Sequence, residues 1–144
     1  HSDKMVKARK DLSSALGELS GKVKGILKPG GDLYKQFKSQ FEGVRMGAQS
    51  EVDELAGNLM NVEAASGLEG GSTMSDELLG NILKKYKSDF QGTIAARDTR
   101  KQQLVDQLEA QKREMLRDFA SSTGYTYGGG GGATAFNEAI NQYG

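Results

Sequence analysis

At 144 residues, 36% hydrophobic and 26% charged, the chain has the length of one modest domain, and no run in it approaches the ~18 apolar residues of a membrane-spanning helix. Lys plus Arg number 19 and Asp plus Glu number 19, a balance that argues against a nucleic-acid binder working through a global basic field. There is no Cys, and the one His is residue 1, so disulfide staples, thiolate metal sites and nearly all histidine chemistry drop out.

The chain opens on His1-Ser2 in place of Met, read as either a tag remnant or the continuation of an upstream segment that would hold any membrane-active part. Met5, Ala8, Leu12, Ala15 or Leu16, Leu19, Val23 and Ile26 then recur at steps of three and four, which predicts a Lys-rich amphipathic helix ending near Leu27. Pro29 disfavours helix at Lys28, and Gly30-Gly31 permits a sharp reversal. Asp32 is placed to cap the next helix, with its carboxylate on the positive end of the dipole.

That second helix is expected over Leu33 to Ala65, about 50 Å of rise. Its apolar stripe reads Tyr34, Phe37, Phe41, Val44, Ala48, Val52, Leu55, Leu59 and Val62, a near-heptad pattern that must find partner helices. Gly43 and Gly47 share one face, where another helix could approach closely. Charge is segregated between these first two tracts. Residues 1–30 hold seven Lys and Arg against three acids, and residues 31–66 hold three against six, so the tracts would attract each other or neighbouring copies.

Ser66 to Ser75 reads as a turn, with Ser72 or Ser75 as the cap of a third helix and Asp76 and Glu77 in its first turn. The third tract uses Leu78, Leu79, Ile82, Tyr86, Phe90 and Ile94, crosses a polar interval at Ala95 to Gln103, and resumes at Leu104, Leu108, Met115 and Phe119. It outruns the second helix. After Ser122 the composition changes to Thr123-Gly124-Tyr125-Thr126-Tyr127 and five glycines, Gly128 to Gly132, a flexible connector. A short helix over Ala133 to Tyr143 would carry Phe136, Ile140 and Tyr143 as a tethered docking tail. The expected fold is all-α: an elongated antiparallel hairpin of long helices with an extra N-terminal helix, forming residues 1–122, and a Gly-linked tail, residues 123–144. Its helix-helix or oligomer seam is assigned to Phe37, Phe41, Val44, Val52, Leu55, Leu59, Leu78, Ile82, Tyr86 and Phe90.

Catalytic chemistry finds no support in the residues. Asp106 with Glu109, Glu51 with Glu54 and Asp76 with Glu77 lie on polar helix faces, whereas acid/base work needs carboxylates in differing, water-poor surroundings. No metal-ligand spacing is present, and no Gly-Lys-Ser/Thr follows the glycine run as a phosphate loop requires. No enzyme activity, metal or cofactor is expected. Arg97, Arg100 and Lys101 are candidates for a surface facing a lumen or passing DNA, because phosphate contact needs cations and no sequence code.

From Asn58 to Phe90 the order is small residues (Ala64-Ala65-Ser66), Gly67-Leu68-Glu69-Gly70-Gly71-Ser72, then Ser75, Leu78-Leu79 and a polar helix with Tyr86. This central third resembles the smaller internal virion protein of T7-like short-tailed bacteriophages, in which a Gly/Ser turn and a Leu-rich start join two long helices. The resemblance implies a protein packaged in the head near the portal and ejected ahead of the DNA. There it would join a homo-oligomeric ring with other internal, portal or tail proteins and help form a channel for genome delivery across the host cell envelope. Members of that family begin with a small-residue, moderately apolar region, where this chain has a Lys-rich helix; contact with the host outer membrane would then belong to a segment not seen here. A second reading is a helical-hairpin substrate or adaptor of a bacterial secretion system, although Trp-x-Gly is missing at Gly67-Leu68-Glu69-Gly70. A hydrolase or lytic factor lacks any nucleophile-base pair.

Overall fold

A computed structural model describes the backbone of residues 2–66 and 72–144 and the side chains of residues 2–61 and 76–144. Helices account for nearly all of it: α1 (Asp3–Leu27), α2 (Asp32–Ser66), α3 (Ser72–Thr123) and α4 (Gly131–Tyr143). The all-α fold, with a long α2–α3 hairpin preceded by one helix and followed by another, is what the apolar spacing predicts. Most of the turn expected between Ser66 and Ser75 falls on 67–71, outside the described residues.

Local chemistry sets the helix ends. Ser2 caps α1, its hydroxyl and carbonyl oxygens both accepting from the Met5 amide, at 3.3 and 3.0 Å. At the other end Lys28 is extended, as a residue before proline prefers, and Gly30 adopts a φ of 75° that completes the reversal. Gly31 fits because a Cβ there would stand 2.6 Å from the Gly25 carbonyl oxygen. Asp32 is the first residue of α2, one position past the cap assigned to it, and still places a carboxylate in the first turn. Likewise α3 already begins at Ser72, so Ser75 lies within its first turn and does not precede it. The helix runs unbroken through the polar interval to Thr123. Gly124, at φ 74°, stops it by donating its amide to the Ala120 carbonyl at 2.8 Å.

The chain forms two compact units, residues 1–35 with 97–144, and residues 36–96. The compositional break at Ser122 matches neither boundary, and the tail belongs to the first unit. Among the described residues that unit holds nearly all the buried apolar side chains: Leu12, Leu16, Leu19, Val23 and Leu27 of α1, Leu33 at the start of α2, Val105, Leu108 and Phe119 of α3, and Phe136 and Ala139 of α4. Leu27, and not Ile26, closes the buried stripe of α1.

In the first unit, α4 is seated directly on α1. Its start is Gly131, so the last two glycines of the supposed connector are helical. A Cβ on Gly132 would collide with the Ser13 carbonyl oxygen, which makes glycine the residue that lets the two backbones meet. Phe136 is fully buried, and Lys112 lies 5.2 Å above its ring while donating to Asn137 Oδ1 at 3.2 Å. Tyr127 packs edge-on against Phe119, with centroids 5.7 Å apart, and anchors the connector.

Candidate assembly surface

The second unit pairs the stretch of α2 after Lys35 with the stretch of α3 before Arg97, antiparallel. Phe41 meets Phe90 with ring centroids 5.0 Å apart, and Tyr86 lies 6.0 Å from Phe90 along the same helix. On the side of that contact toward residues 61 and 76, Lys85 donates to Glu51 at 2.8 Å. That hydrogen bond, with the attraction of the carboxylate, raises the Lys85 pKa above the usual lysine value of 10.5.

This pair buries little by itself: among its described residues only Phe37 and Thr93 are buried. Of the assigned seam positions, Phe41, Val44, Val52, Leu55, Leu59, Ile82 and Tyr86 are half-buried. Leu78 and Phe90 remain 40% and 38% exposed. Two helices can cover only one stripe of each other, and a ring as large as Phe90 overhangs that stripe unless a third element closes it. Leu83, on the same helix, is exposed as well.

One flank of the pair is an open groove of about 420 Å³ lined by Gly43, Gly47, Ile82, Lys85, Tyr86 and Asp89, among others. A Cβ on Gly43 or Gly47 would meet nothing within 4 Å, so neither glycine is needed for the packing of this chain. Thr93 closes the far end with its hydroxyl donating to the Asp89 carbonyl at 3.1 Å.

The cations assigned to a lumen or DNA surface lie in the first unit, all half-buried. Arg97 sits 5.7 Å above the Tyr34 ring and 3.6 Å from Asp98, and Arg100 donates to Gln103 at 3.4 Å. The guanidinium of Arg97 is thus engaged with its own chain. The tail residues are placed together on α4, where Phe136 is buried and Ile140 and Tyr143 half-buried. Sequence reasoning gave the tail a docking role without naming its receptor, which is α1. The signal was present in the apolar stripe of α1, at steps of three and four, which needed a partner but named no address.

Among the described residues no group of acidic or histidine side chains could hold a metal ion, and no helix is long and apolar enough to cross a membrane. The described residues offer helix faces and a groove for association. No protein-family model, no curated protein and no solved structure matches the chain.

Proposed function

We propose that this protein is a structural subunit that acts by assembling, and that it completes the helix pair of residues 36–96 against other copies of itself. The observation that carries the reading is how few of the described residues in that pair are buried, since a face left half-covered gains most of its stabilisation from a neighbour. The specific setting rests on the resemblance of the central third: an internal virion protein, held in the capsid near the portal and transferred to the host cell envelope, contributing to a conduit for genome delivery. Its neighbours in that setting are other internal, portal or tail proteins. Arg97, Arg100 and Lys101 supply non-specific contact with passing DNA, and no step requires a catalytic group.

Size-exclusion chromatography with light scattering on the full chain tests the assembly directly. A defined mass well above two subunits, visible as closed particles by negative-stain electron microscopy, is expected. A monomer at every concentration would overturn the reading, and a mass stopping at two subunits would favour the secreted-hairpin alternative.

A further inference from the structure

We infer that an apolar ridge on one flank of the helix pair of residues 36–96 seats in the groove on the opposite flank of the pair in a second copy; this rests on the assembly reading above. The ridge is built from Phe41, Leu83 and Phe90. Phe90 leans on Phe41, and none of the three lines the groove, so ridge and groove lie on different flanks. Leu83 and Phe90 are 56% and 38% exposed. Being seven residues apart on α3, they project from one face as two knobs about 10.5 Å apart.

The groove supplies the opposite relief. Its lining is apolar at Val44, Ala48, Ile82 and Tyr86, and its α2 wall is bare backbone at Gly43 and Gly47, where a Cβ would meet nothing within 4 Å. From Gln40 to Glu51 it runs about 16 Å along α2, long enough for both knobs. Charge favours the same pairing. On the ridge flank Lys38 and Arg45 stand three residues before and four after Phe41, and Lys87 stands between Leu83 and Phe90; against them are Glu42, at the outer edge of α2, and Asp76, seven residues before Leu83. The groove flank carries Glu51, Glu54 and Asp89 against Lys85, which is already bound to Glu51. Among the described side chains, then, an excess of cations surrounds the ridge and an excess of carboxylates the groove. Groove on groove would join two acidic hollows, and ridge on ridge two cationic bulges. Exposed charges contribute little singly; they select the face, while covering Leu83 and Phe90 supplies the apolar gain. A contact between unlike faces leaves each copy with one more ridge or groove to fill, so it continues until a ring closes.

Blocking one face at a time in the full chain tests the contact. Gly47→Leu fills the groove while improving helix propensity, and Leu83→Glu removes a knob at an exposed position. Each variant alone should weaken association about tenfold or more and give the light-scattering mass of a monomer, with helical circular dichroism unchanged. Mixing discriminates further, because the Gly47→Leu chain keeps a native ridge and the Leu83→Glu chain a native groove. An equimolar mixture should therefore form one contact per pair and stop at a mass of two subunits, a rescue that an interface between like faces does not allow. Wild-type mass in either variant, or a mixture that stays monomeric, overturns this contact and leaves assembly itself standing. A monomeric wild type overturns both.

Discussion

At the residue scale, stability is concentrated in a few side chains of the first unit. Leu16 and Phe136, both with no exposed surface, have no room to be truncated without a void. Phe136→Ala should cost about 3–5 kcal/mol, and Leu16→Ala about 2–5 kcal/mol, read from urea midpoints. Gly132→Ala is the smaller chemical change with a comparable origin: its methyl would stand against the Ser13 carbonyl oxygen, and α4 must shift away, at a cost of about 1–3 kcal/mol. A Gly132→Ala chain as stable as wild type would mean that α4 does not approach α1 this closely. Lys85 behaves differently, being exposed at its tip. Because pairing with Glu51 raises its pKa in the folded chain, its stabilising contribution is complete below the ordinary lysine value and is lost as pH climbs past it. The stability difference between wild type and Lys85→Met should therefore be small at neutral pH and shrink in strongly alkaline solution.

At the element scale, the long α2–α3 pair is the thinner construction. Phe41 is half-buried and rests on Phe90, so Phe41→Asp should cost about 1–3 kcal/mol, less than a fully buried position would exact. Its larger effect should fall on assembly, seen as loss of the oligomer in light scattering with most helical circular dichroism retained. Helix existence was legible throughout, because steps of three and four at Leu12, Leu16, Leu19, Val23 and at Phe37, Phe41, Val44 admit no other regular structure. Helix ends were less so. Gly131 and Gly132 read as connector from composition alone, yet they open α4, since tertiary packing against α1 outweighs the poor helix propensity of glycine. The polar interval at Ala95 to Gln103 likewise gave no apolar face, but its backbone continues α3 without a break.

At the scale of the whole molecule, burial is divided unequally between the two units. Amide hydrogen exchange should show it: protection is expected to be highest in α1, α4 and the Val105 to Phe119 stretch of α3, and lower over residues 36–61 and 76–96. Equal protection across both units in a dilute, monomeric sample would contradict it. The amphipathic stripes of α1 and of the tail were each visible in the sequence, but that they face one another was not, because nothing local to either records the other. The seam assigned to α2 and α3 was legible as a stripe; that it stays half-covered follows from side-chain overhang, which spacing alone does not convey.

The seating of α4 on α1 also bears on how the chain is made. Phe136, which covers the same face as Leu16, leaves the ribosome about 120 residues after it, so the buried stripe of α1 cannot be completed until α4 has been made. During that interval α1 travels with its leucines uncovered. A ribosome stalled before residue 131 would thus display a sticky, unclosed helix, and release of the last turns of α4 is the event that retires it.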